Sequence, residues 1–511
     1  MKTVRVLGAC LHGTGAELVT VEARFDPRDR ERTEVILTGL PDPVLRESRG
    51  RLECALAENG LRLASGRLYL NLVPAARRKS GEILDLPLAL GAAAASGHFE
   101  AKLLRGTLFL GEMGIDGALH AVPGGLAAAM AAREKGVARV IAPPATAAEA
   151  ACLGGLEVYG AKHLAAVVAH VTGNGAGLAR VAAAEEIAGA ENVGPSLDDV
   201  RGVAVAKRAL ALAAAGGHGI LFVGPPGSGK SMLARRLVRL LPPPSLEERL
   251  EITRVLSVAG RWPGGLASER PFRAPHHTVS YAGLVGGGVH ASPGEITLAH
   301  RGVLFLDELP EFRRESLEAL RQPLESGSVL ISRAARQVEL PARFQFVAAM
   351  NPCPCGYRGH PRIPCRCPPN FVQRYRQRIS GPLLDRMDLV VEVAAPAVDE
   401  LAEIPNGSSA AVSSPTEADL RAQVARAVER CRERQGTRRN GELSADELDR
   451  FAPLEQEARA LLGTAARRRG LSARAIQSLR RVARTVADVD GAAAVDASHL
   501  AQALALRAEI G

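Results

Sequence analysis

The sequence has 511 residues, of which 47% are hydrophobic and 23% charged, and its formal net charge is +9. This composition excludes an intrinsically disordered chain, and the length predicts roughly two to four domains. No apolar run reaches the roughly 18 residues that span a membrane, and the N-terminus lacks the apolar core of a signal peptide, so we expect a cytoplasmic protein with no membrane partner. The small positive excess permits a polyanion partner without requiring one.

The pattern of the chain predicts three folded parts joined by two linkers. Residues 1–170 alternate short β-like runs with alanine-rich helical runs, and they contain no phosphate loop. Residues 171–196 and 396–416 are rich in small and turn-forming residues and are predicted linkers. Residues 197–395 alternate strands with helices, which predicts a three-layer α/β/α sandwich, whereas residues 417–511 are nearly all helical in pattern. The predicted fold class is therefore α/β.

A phosphate-binding loop is predicted near the start of the central part. It follows a short apolar strand, Ile220–Val223, precedes a helical run, and fits the pattern G-x-x-x-x-G-K-[ST]. The predicted nucleotide-binding residues are Gly224, Pro225, Pro226, Gly227, Ser228, Gly229, Lys230 and Ser231. Glycines let backbone amides point at phosphate oxygens, Lys230 would contact the outer phosphates, and the Ser231 hydroxyl would hold Mg²⁺. We therefore expect the protein to bind a nucleoside triphosphate.

A second motif supplies the acidic groups that triphosphate hydrolysis needs. Val303–Leu306 is an apolar run that predicts a buried strand, and it ends in Asp307 and Glu308. We expect this strand to lie beside Ile220–Val223 in a parallel sheet, with its acidic end at the same edge as the phosphate loop. Asp307 would then bind Mg²⁺, directly or through water, and Glu308 would polarise the water that attacks the γ-phosphate.

The segment between these two motifs is predicted to be a mobile hairpin or loop. Three consecutive glycines interrupt a weak strand pattern within residues 273–295. Four histidines in or near this segment could form either a metal cluster or a set of loop and core-edge contacts: His276, His277, His290 and His300. The second alternative is favoured, because these histidines share no helical spacing and lack acidic partners in the sequence.

A second hairpin is predicted after the acidic motif. A helical run over residues 313–324 leads into it, and its two strands are residues 328–332 and 337–340. Arg333 and Arg336 flank its turn.

Four of the eight cysteines form two Cys-x-Cys pairs that are close in the sequence. They are Cys353, Cys355, Cys365 and Cys367. In a reducing cytosol this density of thiols predicts a tetrahedral Zn²⁺ site rather than disulfides, although the usual spacing is Cys-x₂-Cys. An empty reduced loop and a redox-active pair remain the alternatives, and His360 could replace one ligand.

The order of these motifs resembles an AAA+ ATPase of the group that carries a hairpin before a polar sensor strand. The resemblance implies ATP as the nucleotide, and it places Asn351, after the apolar run 344–350, where it would orient the attacking water. Arg386 matches an arginine finger that reaches the nucleotide of a neighbouring subunit, and Arg474 matches the second sensor of the helical lid. Guanidinium groups suit both roles, because charge on the γ-phosphate must be neutralised in the transition state. The alternative for Arg386 is a buried ion pair with a flanking aspartate.

Further motifs along the whole chain narrow the resemblance to the magnesium-chelatase-like YifB/ComM family. They include Gly-Leu-Pro-Asp at 39–42, Asn-Leu-Val-Pro-Ala at 71–75, Pro-His-His at 275–277, Pro-Gly-Glu at 293–295 and Asn-Pro-Cys-Pro-Cys-Gly at 351–356. The resemblance implies a Lon-protease-like α+β domain over residues 1–170, a central AAA+ core and a C-terminal helical lid. It also implies a homohexameric helicase that binds single-stranded or branched DNA and promotes branch migration of recombination intermediates in natural transformation. Both hairpins would face the pore, and Arg333 and Arg336 would contact DNA phosphates.

The N-terminal part lacks the serine–lysine pair of Lon-type peptidases. In that family the serine follows a Lys-x-Gly-x pattern and the lysine follows Gly-Gly-Leu, and here Ile83 and Ala127 take those positions. Without a nucleophile and its base, covalent peptide hydrolysis has no route. We therefore expect a non-catalytic domain that serves assembly or partner binding.

Two other functions share parts of this pattern. One is a chelatase-type AAA+ motor that remodels a protein partner for magnesium insertion into a tetrapyrrole, but the sequence shows no acidic metal-binding partner domain. The other is a scaffold or protease regulator built on the N-terminal part. Stimulation of ATP hydrolysis by DNA would favour the DNA motor, and stimulation by a protein partner alone would favour the alternatives.

Overall fold

The computed structural model describes residues 3–27, 33–38, 43–63, 65–74, 82–183, 195–200, 203–287, 292–333, 336–394 and 415–508. Within these residues the chain forms a mixed sheet, then a parallel sheet, and then a group of helices. Part of the predicted linker 171–196 and nearly all of the predicted linker 396–416 lie outside the described residues, as do Gly288 and His290 of the first predicted hairpin.

The first part of the chain forms a seven-stranded mixed sheet and a two-stranded ribbon. The strands are β1 (Val4–His12), β2 (Gly15–Pro27), β3 (Glu34–Thr38), β4 (Gly66–Val73), β5 (Thr107–Phe109), β6 (Glu112–Met113), β7 (Leu119–His120), β8 (Arg139–Ala142) and β9 (Glu157–Gly160). The sheet order is β3-β4-β2-β1-β5-β8-β9, and β6 pairs with β7. In β4, Leu68, Leu70 and Leu72 are buried while the residues between them are half-buried, so alternation along the strand turns one face to the core.

Helices pack against this sheet and close its core. They are α1 (Pro43–Glu58), α2 (Asp85–Ala95), α3 (Gly125–Glu134), α4 (Pro144–Ala151) and α5 (Leu164–Thr172). The buried carboxylate of Glu149 in α4 accepts hydrogen bonds from the Gly125 amide at 2.9 Å and from the Ser257 hydroxyl at 2.5 Å. Burial raises the pKa of Glu149. Because Ser257 belongs to the central part, this carboxylate joins the two parts of the chain.

The central part contains a five-stranded parallel sheet. Its strands and those of the neighbouring hairpins are β10 (Ile220–Val223), β11 (Phe272–Arg273), β12 (Gly286–Gly287), β13 (Ser292–Pro293), β14 (Val303–Leu306), β15 (Ser328–Arg333), β16 (Arg336–Pro341), β17 (Gln345–Met350) and β18 (Leu389–Glu392). The sheet order is β11-β14-β17-β10-β18, and every neighbouring pair is parallel. All residues of β14 and β17 are buried, as expected of strands covered on both faces. The prediction of a parallel α/β sheet is confirmed.

The expectation that the acidic strand lies beside the phosphate-loop strand is wrong. β17 lies between β10 and β14 and is hydrogen-bonded to both. Because the three strands are parallel, their carboxyl ends still meet at one edge of the sheet. The order of strands in the chain did not give their order in the sheet, since a crossover connection can skip a position.

The helices of the central part surround this sheet. They are α6 (Ala204–Gly216), α7 (Lys230–Leu240), α8 (Leu246–Val258), α9 (Tyr281–Val285), α10 (Glu295–Leu298), α11 (Arg314–Ala319), α12 (Arg321–Ser326), α13 (Pro369–Arg376) and α14 (Gly381–Leu384). The helix predicted over 313–324 is two short helices that meet at Leu320. Pro323 explains the interruption, because its ring has no N–H for a bond to the Ala319 carbonyl. The two predicted hairpins are the antiparallel pairs β12–β13 and β15–β16.

The C-terminal part is helical, as predicted. Its helices are α15 (Glu417–Gln435), α16 (Ala445–Phe451), α17 (Gln456–Arg469), α18 (Ala473–Asp490) and α19 (Ala497–Ala505). α15 begins with a capping box in which the side chains of Thr416 and Asp419 bond each other's backbone amides. Leu420 of α15 and Leu479 of α18 share one apolar core with α6 and the parallel sheet. Among the described residues, no helix is both long and apolar enough to cross a membrane.

A buried carboxylate joins the C-terminal helices. Asp488 in α18 accepts hydrogen bonds from Arg434 of α15 at 2.6 and 2.8 Å, from Arg484 at 2.9 Å and from Asn440 at 2.7 Å. The side chain of Arg484 is only 1% exposed. Among the residues that the structure describes, Asp488 is the one carboxylate in an ion pair with either guanidinium group.

Removing that carboxylate should strongly destabilise the helical part. We expect Asp488→Ala to lower the free energy of unfolding by about 3–5 kcal/mol, because it removes the countercharge of the buried Arg484 and of the partly buried Arg434. Urea denaturation followed by circular dichroism measures this loss. In the control, Asp490→Ala removes an exposed carboxylate that pairs with Arg208, which should cost no more than about 1 kcal/mol. Equal midpoints for the two variants would show that the network contributes little.

Candidate active site

The carboxyl ends of β10, β14 and β17 bring three polar segments to one edge of the parallel sheet. The loop 224–229 follows β10, Asp307 and Glu308 follow β14, and Asn351 follows β17. The register of β17 with each neighbour aligns the strand ends. Open parallel sheets bind ligands outside the carboxyl ends of their strands, so this edge is the candidate site.

The loop between β10 and α7 is bent in a way that suits anion binding. Gly227 and Gly229 have positive φ angles of 76° and 85°, which residues with a side chain rarely adopt. A side chain at Gly224 would collide with the carbonyl oxygen of Val393. α7 begins at Lys230, so its unpaired amides and the positive end of its dipole point toward the loop. Such a helix N-terminus attracts phosphate.

Lys230 links the loop to the end of β17. Its side chain is buried, and its ammonium group donates to the carbonyls of Gly224 and Pro225, both at 2.8 Å, and to Asn351 Oδ1 at 3.2 Å. Burial lowers the pKa of Lys230, and the two carboxylates at the end of β14 oppose that shift. The amine therefore lies between the loop and the acidic pair, where it can meet the outer phosphates of a nucleotide.

Ser231 and Asp307 form a pair of oxygen donors. The Ser231 hydroxyl donates to Asp307 Oδ2 at 2.5 Å, and Asp307 Oδ1 accepts from the Glu308 amide at 2.9 Å. Hydroxyl and carboxylate oxygens are ligands that Mg²⁺ accepts in proteins, where it also keeps several waters. The donor set fits a Mg²⁺ ion that is bound together with a nucleotide.

Glu308 lies next to this pair and is contacted by a histidine. Its φ angle of 52° is uncommon for a residue with a side chain, and such strain is concentrated at functional sites. The carboxylate is 57% exposed, and His277 Nδ1 lies 3.3 Å from Glu308 Oε2. The His277 ring packs against His276 and the edge of Phe312. Glu308 is thus held on one side by an imidazole and is open to water on the other.

The expectation that the four histidines lack acidic partners is wrong for two of them. His277 pairs with Glu308, and His300 Nε2 lies 3.1 Å from Glu251 Oε2. His300 is a buried core-edge group, in line with the favoured interpretation, whereas His290 lies outside the described residues. His277 was missed as a site residue. The signal for it is its place just after β11, a strand that pairs with β14 and therefore ends at the same sheet edge.

The two predicted catalytic arginines share one partner, Glu325. Arg386 Nη2 lies 2.7 Å from Glu325 Oε1, and Arg474 Nη2 lies 3.5 Å from the same oxygen. In the part of the chain that the structure describes, neither arginine forms an ion pair with Asp385 or Asp388. Neither has a hydrogen bond to the phosphate loop or to the acids after β14, again within the described residues. One chain therefore does not bring these arginines to its own candidate site.

Arg333 and Arg336 are register partners at the turn of the hairpin β15–β16. Their side chains lie outside what the structure describes. The structure thus places their backbone at the tip of the hairpin, and their contact with DNA stays a prediction.

The four cysteines of the Cys-x-Cys pairs come together. The sulfur atoms of Cys353, Cys355, Cys365 and Cys367 all lie within 4.8 Å of one another. Hydrogen bonds from backbone amides lower the pKa of Cys355 to about 6, which favours the thiolate. His360 is not part of this group, because its Nδ1 accepts hydrogen bonds from two amides of its own turn. Four thiols in this arrangement could hold a metal ion.

The parallel sheet, the loop before α7, the acids after β14 and the helical C-terminal part together define a P-loop ATPase of the AAA+ class. Three family models match the chain: subunit ChlI of Mg-chelatase over residues 22–146, magnesium chelatase subunit ChlI over 196–401, and the C-terminal part of that subunit over 414–507.

Several relatives match nearly the whole chain. YifB of Escherichia coli (strain K12) is 39% identical over 505 residues, which cover 97% of this chain and 95% of the relative. Competence protein ComM of Haemophilus influenzae is 39% identical over 513 residues, which cover 98% of this chain and 96% of the relative. The magnesium-chelatase 67 kDa subunit of Chlorobaculum parvum is 28% identical over 158 residues, 30% of this chain and 23% of that protein. The chain belongs to the YifB/ComM family of magnesium-chelatase-like AAA+ ATPases, and its class implies ATP and Mg²⁺.

Removing the Lys230 ammonium should abolish nucleotide binding. Lys230→Met keeps the length of the buried side chain but removes the charge that the outer phosphates require, so we expect the affinity for a fluorescent ADP analogue to fall by at least about 100-fold. Fluorescence anisotropy measures the affinity. Lys135→Met changes an exposed lysine after α3 and should bind like the wild type. If Lys230→Met bound the analogue with wild-type affinity, the nucleotide phosphates would have to bind somewhere other than this loop.

Proposed function

We propose that this protein is a ring-forming, ATP-driven motor on DNA, a helicase that promotes branch migration of recombination intermediates in natural transformation. The observation that carries the proposal is the separation, within one chain, of the nucleotide edge from the two arginines that would complete it. A second copy of the chain would then supply Arg386, which is the arrangement of a ring. The Haemophilus influenzae relative is named a competence protein, and this name supports the biological setting.

The residues at the sheet edge would divide the steps of ATP hydrolysis. Lys230 and the loop amides would hold the phosphates, and Ser231 and Asp307 would hold Mg²⁺, which supplies positive charge next to the β- and γ-phosphates. Glu308, whose carboxylate is open to water, would take a proton from the attacking water. Asn351, which already contacts Lys230, would orient that water.

Arg386 would reach the γ-phosphate in a neighbouring subunit, and Arg474 would reach it from the helical lid. Within one chain both are bound to the Glu325 carboxylate, which is 60% exposed. Exposed ion pairs of this kind contribute about 1 kcal/mol or less, so a guanidinium group can exchange this partner for a phosphate at small cost. Glu325 would therefore hold Arg386 until the nucleotide edge of another subunit docks.

The hairpin β15–β16 would contact DNA in the pore of a homohexamer. Arg333 and Arg336 end its two strands at the turn. Basic residues at the turn of a two-stranded ribbon can contact phosphates, which gives an affinity that depends on salt and is blind to sequence. We propose single-stranded or branched DNA as the partner.

We also propose that residues 1–170 form a Lon-protease-like domain without peptidase activity, next to an ATPase core over 197–395 and a lid over 417–511. Ile83 and Ala127, at the positions of the peptidase serine and lysine, are only 4% and 2% exposed. Buried apolar side chains can neither attack a peptide nor take up a proton.

A chelatase-type motor is the second candidate function. The three family models carry the name of magnesium chelatase, and the Chlorobaculum parvum protein of that name matches part of the chain. Such a motor would remodel a protein partner for magnesium insertion into a tetrapyrrole. ATP hydrolysis that responds to a protein partner and to no DNA would favour it.

ATP hydrolysis should require residues from two subunits. We expect Glu308→Gln to bind ATP without turnover and Arg386→Ala to hydrolyse it at less than about 1% of the wild-type rate. Mixed in equal amounts, the two variants should regain activity, because about one junction in four then combines an intact Glu308 with an intact Arg386. The steady-state rate of phosphate release measures the recovery.

Glu325→Gln is the matched control for this experiment, because it removes the partner of Arg386 and leaves the arginine in place. It should hydrolyse ATP at the wild-type rate. A mixture of assembled variants that stays inactive would refute the role of Arg386 in trans, and normal turnover by Glu308→Gln would refute its role as the base.

Stimulation by DNA tests the proposed function directly. We expect forked or four-way DNA to raise the ATPase rate at about 50 mM salt and to lose much of this effect at about 200 mM. The double variant Arg333→Ala/Arg336→Ala should lower the steepness of log affinity against log salt by about 2, whereas the control Arg467→Ala/Arg468→Ala, at exposed positions of α17, should not change it. An ATPase rate that no DNA structure changes at low salt would exclude a DNA motor.

A further inference from the structure

The sulfur atoms of the cysteine group have the spacing of a metal site. Cys353 Sγ lies 3.4 Å from Cys355 Sγ and 3.6 Å from Cys365 Sγ, and the latter two sulfurs are 3.7 Å apart. A tetrahedral Zn²⁺ ion with Zn–S bonds of about 2.3 Å holds its sulfurs about 3.8 Å apart, whereas the sulfurs of a disulfide are about 2.0 Å apart. Small shifts of the sulfur atoms would therefore allow the four cysteines to coordinate one zinc ion.

Backbone amides point at these sulfurs. The Cys355 amide donates to Cys367 Sγ at 3.4 Å, and the Cys367 amide donates to Cys365 Sγ at 3.5 Å. N–H···S bonds stabilise thiolates, and bonds of this kind surround metal-bound cysteines. Cys353 is fully buried, so this ligand faces the protein interior and not solvent.

The segment that carries the cysteines has no regular structure of its own. Residues 351–368, all of them described, form no helix or strand between β17 and α13. The backbone–backbone hydrogen bonds within this segment close short turns, such as the bond from the Gly356 amide to the Cys353 carbonyl at 2.9 Å. A short segment without a ladder or a core of its own needs a cross-link to keep one shape, and a metal supplies one.

This segment rests on the phosphate loop. A Cβ atom at Gly356 would lie 2.6 Å from Cδ of Pro226, so the glycine and the proline ring are in close contact. Cys353 follows Asn351 by two residues, and Asn351 accepts the hydrogen bond from Lys230. The cysteine segment therefore contacts the nucleotide edge at two points, through Gly356 against Pro226 and through Asn351, which is bonded to Lys230.

We propose that Cys353, Cys355, Cys365 and Cys367 bind one structural Zn²⁺ ion, and that the metal-closed segment supports the phosphate loop through the contact of Gly356 with Pro226. Nucleotide affinity then depends on the metal. The metal site is independent of the proposed motor function, and its effect on affinity rests only on nucleotide binding at the loop.

Zinc content tests the site. Full-length protein purified without chelators should contain about one zinc per chain by plasma mass spectrometry. Cys355→Ser/Cys365→Ser should lose it, whereas Cys54→Ser, at an exposed lone cysteine, should keep it. Wild-type protein without zinc, protein with iron in its place, or a double variant with full zinc content would overturn the assignment.

A pair of glycine variants tests the support of the loop without touching the ligands. Gly356 and Gly359 have similar φ angles, 84° and 80°, but a Cβ at Gly359 meets nothing within 4 Å. Both alanine variants carry the same backbone strain, so only Gly356→Ala should weaken the binding of a fluorescent ADP analogue, by about tenfold, with zinc retained in both. Equal affinities for the two variants would refute the contact, even if the cysteine variant fails to fold. Zinc content and affinity for the ADP analogue are both measured without DNA. If the ATPase rate does not respond to DNA, the motor proposal fails and the zinc proposal is unaffected.

Discussion

The pairing of β17 with both β10 and β14 is the constraint on which the candidate site depends. This strand holds the phosphate loop on one side and the acidic pair on the other, and its own last residue leads into Asn351. A slip of one residue in either pairing would turn every side chain of the strand to the opposite face. Because all residues of β17 are buried, such a slip has no acceptable packing. The fixed register of β17 with its two neighbours therefore sets the distances among Lys230, Asn351 and the two acids.

The nucleotide edge is connected to both ends of the chain through α7 and α8. At the C-terminal end, Glu417 at the start of α15 accepts hydrogen bonds from Arg239 of α7 and from the Leu197 amide, each at 2.7 Å. These bonds lower the pKa of Glu417, although burial opposes the shift. A displacement of α7, which begins at Lys230, is therefore passed to the helical part through a buried charge. These bonds are a physical link between the phosphate-loop helix and the C-terminal helices, of the kind that the proposed motor would require.

Local features of this protein could be predicted from the sequence, and non-local ones could not. The phosphate loop, the strand before it and the acids after β14 are each set by a short run of residues. The four cysteines are also close enough in the chain for the sequence to identify them as one group. The order β14-β17-β10, in contrast, depends on crossovers that residue patterns do not encode. The contact of His277 with Glu308 depends on the pairing of β11 with β14, and the shared partner of Arg386 and Arg474 lies on α12, so both contacts follow from the tertiary fold.

Glu149 has a consequence for how the whole molecule moves. Its carboxylate is buried, and its Oε2 atom accepts hydrogen bonds from the Gly125 amide of α3 and from the Ser257 hydroxyl of α8. Separating α8 from α4 would break the bond from Ser257, whereas Glu149 Oε2 would keep its bond from the Gly125 amide, so the cost is about 1 kcal/mol for the one hydrogen bond that is lost. The N-terminal part and α8 are thus tied by a buried polar contact, and a movement of α8 relative to α4 has to break it.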